Sequence, residues 1–170
     1  MNILRDTSAL ASATNEIIGS NFKSGASVRF TIPTKSMLPT FAPGDQVLAR
    51  ALRAGEPRIG DIVMIRNDRS WLAHRLIDRY IVDGQTSFVT HGDYGTETDG
   101  PWSAEQVCGI ITAVERRGSR FTFESARARW FGNVIARFLC LRSRTRSTLA
   151  KKLNAALVRS AAWLGYWYFK

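Results

Sequence analysis

Histidine and cysteine are scarce in this chain, with two of each in 170 residues. Neither pair has the spacing of a metal site, which excludes a centre built from clustered His and Cys ligands. Cys108 and Cys140 lie in segments of different kinds and read as reduced core or helix-face residues, with a single disulfide as the alternative. Lysine is missing where a base would be useful: none occurs from Ser36 through Ala150. Met1–Lys23 has no long apolar run and carries Asp6, Asn15 and Glu16 among small residues. It therefore reads as neither a secretory signal nor a membrane span. Internal repeats and low-complexity tracts are absent as well, which excludes solenoid and linker architectures. Acidic residues run out toward the C-terminus. Residues 115–170 hold 13 Lys and Arg against 2 Asp and Glu, whereas residues 1–114 hold 11 against 12. The basic character of the chain belongs to its tail, and a negatively charged partner would be met there.

What is present fits one domain with appendages. Residues 7–22 favour a short helix with Ile17, Ile18 and Phe22 on a weak apolar edge, ended by Gly25. Alternation and turn signals then predict strands at Ser27–Ile32, Gln46–Arg50, Ile62–Arg66, Trp71–Val82, Ser87–His91, Val107–Arg116 and Phe121–Phe123. Asn67–Ser70, Asp83-Gly84 and Gly118-Ser119 are the hairpin turns. Gly92–Ser103, rich in Gly, Asp, Thr and Pro, reads as a long loop able to carry function. The pattern changes at Ser125. Phe131, Val134, Ile135, Phe138 and Leu139 recur at helical spacing, and Arg142–Arg146 reads as a basic joint. Ser147 or Thr148 would cap a second helix striped by Leu149, Leu153, Leu157, Leu164 and Tyr168. The expected organisation is a helical lead-in over 1–25, a mainly β, coiled antiparallel domain over 26–124, and a basic tail of two amphipathic helices over 125–170.

The stretch Pro33–Arg50 organises the rest. Pro33, Pro39 and Pro43 each remove a backbone donor and fix φ, so neither helix nor strand passes through. Ser36 stands in this stiffened turn just past a strand end, where a hydroxyl can face a cleft. Ser36-Met37-x-Pro39-Thr40 followed by Gly44-Asp45-x-Val47-Leu48 resembles the nucleophile box of the type I signal peptidases and their relatives (the S24/S26 superfamily). The resemblance implies a catalytic Ser36 in a β domain of the signal-peptidase-like type, on a segment that includes Met37.

Serine needs a base to take its proton as it attacks. In many of these enzymes that base is a neutral lysine, but here only Lys35 is near, and adjacent residues of a strand point to opposite sides. His74 sits in Trp71-Leu72-Ala73-His74-Arg75-Leu76-Ile77, within a predicted strand, and imidazole suits base chemistry near neutral pH. By its residues alone it reads first as a strand histidine pairing with a carboxylate across a sheet. His74-Arg75-Leu76 resembles the base segment of the histidine-type branch, the archaeal, spore-former and microsomal signal peptidases. That branch has a third box, K-G-D with a second aspartate six positions on. His91-Gly92-Asp93 resembles it, with His in place of Lys, and Asp99 falls at the second position. The resemblance makes Asp99 the carboxylate that orients His74 and gives Asp93 a part in shaping the loop. A Gly-Asp turn alone would make Asp93 an Asx-turn former. For the oxyanion, the Ser36 N–H is a natural donor, and the resemblance adds the Thr34 hydroxyl, where many relatives have Gly or Ser.

The resemblance spans roughly residues 28–116. It implies a serine endopeptidase that cleaves a leader or signal peptide through an acyl-enzyme, with no metal or organic cofactor. The rival readings are self-processing or dedicated peptide maturation in the cytoplasm, and a non-catalytic β module held on membrane or RNA. In the tail, Trp163, Tyr166, Trp167, Tyr168 and Phe169 end an apolar stripe opposite Lys151, Lys152 and Arg159, a pattern suited to an anionic lipid interface; the alternative is a helix packed on the β domain with a solvated charged face. The expected location is therefore peripheral on a membrane. The arginines of 127–146 would suit nucleic acid too, but no recognition motif supports it.

Overall fold

The computed structural model describes residues 16, 18–22, 24–67, 70–145, 156, 157 and 160. Among these, eight strands form one antiparallel sheet: β1 Val28–Thr31, β2 Gln46–Ala51, β3 Ile62–Asn67, β4 Ser70–Val82, β5 Gln85–His91, β6 Thr98–Ser103, β7 Val107–Arg116 and β8 Ser119–Thr122. Their order across the sheet is β1-β2-β7-β3-β4-β5-β6, with β8 also paired to β7. One helix, α1 (Ala126–Arg144), follows. The protein is thus mainly antiparallel β, with a short helical stretch before the sheet and one helix after it. Register shifts at Leu48/Ala49, Met64/Ile65, Leu76/Asp78 and Phe88/Thr90 bend the strands. Each such irregularity increases local twist, which coils a sheet of this size instead of leaving it flat.

β3 shows why an unbroken apolar run belongs in the middle. Ile62 and Met64 enter one core cluster with Met37, Phe41, Val47 and Ile111, while Val63 and Ile65 enter another with Leu76, Phe88 and Ile110. Successive side chains point to opposite faces, so a strand buried on both faces must be apolar at every position. Full burial of each such side chain stabilises by about 1.5–3 kcal/mol. The hairpin turns lie where the turn residues put them. Val82 pairs with Gln85 across Asp83 and Gly84, whose φ values of 51° and 76° are those of a two-residue turn with the strand's own twist. Asn67 pairs with Ser70, and Arg116 with Ser119.

Three expectations are corrected. Gly92–Ser103 is not all loop: Thr98–Ser103 forms β6, paired to β5 through Thr90↔Asp99 and His91↔Thr98. Gly100-Pro101 hid it, because proline cannot donate to a ladder; here it sits on a strand whose only partner among the described residues is β5. The basic joint begins later than expected. α1 continues through Arg142 and Arg144 and ends at Thr145, whose N–H bonds the carbonyls of Leu141 and Arg142. Arg142 faces inward, so its charge does not break the helix. Asp93, finally, is not an Asx-turn former; its partners are given below.

α1 starts at Ser125, whose hydroxyl accepts from Ala128 N–H at 3.1 Å, and packs Ile135, Ala136 and Leu139 onto Ile77 of β4. No described helix is long and apolar enough to cross a membrane. Both cysteines are free thiols. Of the N-terminal helix, residues 16 and 18–22 are described and helical. Of the second C-terminal helix, residues 156, 157 and 160 are described, helical and exposed; residues 7–15, the rest of that helix with its Ser147 or Thr148 cap, and the aromatic cluster 163–169 fall outside the described residues.

Candidate active site

Ser36 lies in the loop between β1 and β2, which the backbone closes tightly. Ile32 N–H bonds Asp45 O and Gly44 N–H bonds Ile32 O, both at 2.8 Å. Met37 and Phe41, almost wholly buried, anchor the loop in the core, and Phe41 N–H bonds Met37 O at 2.8 Å. Asp45 accepts from Ala42 N–H at 2.7 Å and forms an ion pair with Arg116, whose guanidinium also bonds Thr40 O at 3.1 Å. The second half of the Ser36 box is therefore a clasp. It holds the turn so that Ser36 stays half-exposed while Met37 is buried. Met37 serves as an anchor and lies one residue from the hydroxyl. Thr34 is exposed, with its Oγ1 3.2 Å from Ser36 Oγ. Lys35 is exposed, and no polar contact is described for its amine.

His74 is on β4 and Asp99 on β6, two strands away, yet His74 Nδ1 donates to Asp99 Oδ2 at 2.6 Å. The register explains how the ring crosses β5. Arg75 pairs with His91, so β5 ends where His74 would next meet a partner, and the residue there is Gly92. A Cβ on Gly92 would stand 3.1 Å from His74 Nε2 and 2.7 Å from the Ser36 carbonyl oxygen. Glycine is what lets the ring pass over the strand end and the nucleophile loop press against it. The imidazole is buried, and its Nε2 has no hydrogen-bond partner among the described residues. In a neutral ring the orienting bond at Nδ1 places the proton there, and Nε2 carries the lone pair. The Ser36 loop is fastened to the same place, because Ser36 O accepts from Tyr94 N–H at 2.9 Å.

Asp93 does not meet His74. It is fully buried and takes a two-pronged contact from Arg75, Nε to Oδ1 at 2.8 Å and Nη2 to Oδ2 at 2.6 Å, with Thr40 Oγ1 donating at 2.5 Å. Arg75 Nη1 also bonds Gly60 O at 2.8 Å. The structure thus brings His74 to Asp99 and Thr34 Oγ1 to Ser36 Oγ, with the Ser36 carbonyl and His74 Nε2 both against Gly92; no hydrogen bond joins Ser36 Oγ to His74 Nε2, and Asp93 pairs with Arg75 instead. Sequence reasoning assigned no role to Thr40, Arg75 or Arg116. The one available signal was Arg75's position next to His74, since a buried arginine needs a carboxylate. No group of His, Cys, Asp or Glu suited to a metal ion occurs among the described residues.

The second histidine has a different environment. His91 is wholly buried, with Nδ1 donating to Gly92 O at 2.5 Å. Burial pushes its pKa below the ordinary 6.5. The Gly92 carbonyl opposes this, Arg142 adds to it, and Asp93 and Asp99 oppose it more weakly. A group whose folded pKa lies below its unfolded one contributes stability above the unfolded value. That contribution is lost as pH falls toward the folded value. The melting temperature of the protein is accordingly expected to decline as pH drops below about 6.5. His91→Leu should flatten this limb, as read by thermal melts across pH; an unchanged slope would remove His91 as its cause.

No protein-family model matches the chain, and no curated protein matches it in sequence.

Proposed function

We propose that the chain is a serine endopeptidase of the signal-peptidase-like type, with Ser36 as nucleophile, His74 as base and Asp99 as the carboxylate that orients it. The observation that carries this reading is the His74–Asp99 bond, which leaves a buried, unpartnered Nε2 beside the Ser36 loop. His91 on β5 also has a buried Nε2 without a partner among the described residues, so what sets His74 apart is the carboxylate at its Nδ1 and its place against Gly92 beside the Ser36 loop. Ser36 Oγ rests against Thr34; the proposed reaction requires its side chain to turn to His74 Nε2, a tightening common when substrate binds. Nε2 then takes the hydroxyl proton as Oγ attacks the scissile carbonyl. The Asp99 carboxylate stabilises the imidazolium, and the Ser36 N–H with the Thr34 hydroxyl donates to the oxyanion. Return of the proton to the leaving amine yields the acyl-enzyme, and water activated by the same imidazole releases it. The proposed substrate is a leader or signal peptide. A fluorophosphonate should label Ser36, as read by peptide mass spectrometry; absence of labelling would favour a non-catalytic module.

The proposed partner surface is an anionic membrane met by the tail. On α1, Trp130, Arg137, Leu141 and Arg144 are exposed, and the helix holds no acidic residue. Apolar side chains among arginines suit a lipid headgroup layer better than RNA. Truncation after Glu124 would uncover Ile77, so point substitution is the cleaner test. Trp130→Ala with Arg137→Glu should weaken flotation with anionic vesicles by about tenfold, with salt weakening wild-type binding similarly. Equal flotation of both proteins would remove α1 from the surface.

A further inference from the structure

Gly132 stands in the middle of α1, where glycine costs about 1 kcal/mol relative to alanine. Its neighbours supply the reason for it. A Cβ on Gly132 would stand 2.8 Å from Gly60 O and 3.3 Å from Arg75 Nη1. The approach is mutual, since a Cβ on Gly60 would stand 2.5 Å from Asn133 N. Backbone therefore meets backbone at this crossing, and the Arg75 guanidinium is caught beside it. Next to the crossing, a cavity of about 290 Å³ separates the first turns of α1 from Arg50, Glu56 and Asp61. The Gly60–Gly132 contact is thus a close backbone approach of α1 to the sheet domain.

We infer that Gly132 is a positioning residue for the Ser36–His74 site, acting through Arg75. The inference rests on the proposed roles of Ser36 and His74. The connection is short and made of buried parts. Arg75 bonds Gly60 through Nη1 and Asp93 through Nε and Nη2. Asp93 follows Gly92, which lies against His74 Nε2 and Ser36 O, and precedes Tyr94, which bonds Ser36 O. A planar guanidinium with both ends engaged cannot move at one end without moving at the other. An added methyl at 132 must displace Gly60 or Arg75, and the displacement passes to the loop on which His74 and Ser36 meet. Misplacement of reacting groups by about 1 Å can cost roughly 100-fold in rate.

The test uses the full chain. Gly132→Ala should lower kcat roughly 10- to 100-fold with KM little changed, and should shift the His74 ring ¹⁵N resonances, which are readable whether or not the protein cleaves peptide. Ile135→Ala serves as control, because it loosens α1 against Ile77 without adding an atom near Arg75. It should lower Tm and leave kcat and the His74 resonances in place. Should Gly132→Ala not fold, Arg75→Lys keeps the charge beside Asp93 while losing the reach to Gly60, and the same resonance shift is expected. Unmoved His74 resonances, or equal shifts from Ile135→Ala, would overturn the inference. A wild-type protein that neither cleaves nor labels would overturn the proposed function instead, while the resonances still decide the coupling.

Discussion

Ser36→Ala is expected to abolish peptide cleavage and fluorophosphonate labelling, with a fall in kcat of about 10⁴-fold or more, and to leave the melting temperature nearly unchanged. The two halves of this expectation have separate grounds. The rate loss follows from the proposed role of Ser36 as nucleophile; Thr34, whose hydroxyl stands 3.2 Å from that of Ser36, is exposed and takes no place in the chain from Ser36 to His74. Removing a nucleophile from a hydrolytic triad costs this much because base and orienting carboxylate act only through it. The stability half follows from what the side chain holds. Its one hydrogen bond is to Thr34 at 3.2 Å, and the residue is half-exposed. Such a change normally stays within about 0.5 kcal/mol. The loop is kept by Met37, Phe41 and the Asp45–Arg116 pair, none of which the substitution touches. Cleavage of a leader peptide by purified Ser36→Ala at the wild-type rate would end the proposal. Lost cleavage together with a large fall in Tm would leave Ser36 as a folding residue.

What could be read in advance follows a physical divide. β7 occupies Val107–Arg116, the bounds its β-branched apolar run predicts, because a strand buried along its length writes itself into local composition. The hairpin at Asp83-Gly84 is equally local, since a backbone with positive φ selects its residues; the other turn lies at Arg117-Gly118, one residue before the expected Gly118-Ser119. β6 was hidden because edge pairing tolerates Gly100 and Pro101, which in a central strand would be excluded. Arg142 was read as part of a joint because its burial depends on what α1 packs against. The same divide runs through the site. Ser36, His74 and Asp99 stood out through short motifs, and the structure brings His74 and Asp99 into contact. Thr40 and Arg75 owe their roles to partners 53 and 18 residues from them along the chain, which no local pattern announces.

The two aspartates of the His-Gly-Asp segment can be separated by experiment, because their surroundings demand opposite outcomes. Asp99 is one-third exposed at its side chain and its described contact is the His74 Nδ1–H. Asp99→Asn should lower kcat by about 10⁴-fold, since an amide in place of the carboxylate favours the wrong tautomer and leaves the imidazolium without its counter-charge. It should change stability little. Asp93 is fully buried against Arg75, itself buried. Asp93→Asn leaves the guanidinium without its anion. Breaking a buried pair in this way costs about 3–5 kcal/mol, a fall in Tm of roughly 10 °C for a chain of this size. Its effect on rate should be the smaller one, perturbing the site only through the Gly92 loop, and lowered temperature should restore part of it by refolding the protein. The measurements are kcat at a temperature where both variants are folded, and thermal melts of each. A near-normal rate for Asp99→Asn, beside a collapsed rate for a well-folded Asp93→Asn, would move the orienting role to the other carboxylate. It would also mean that the 2.6 Å contact at His74 is structural.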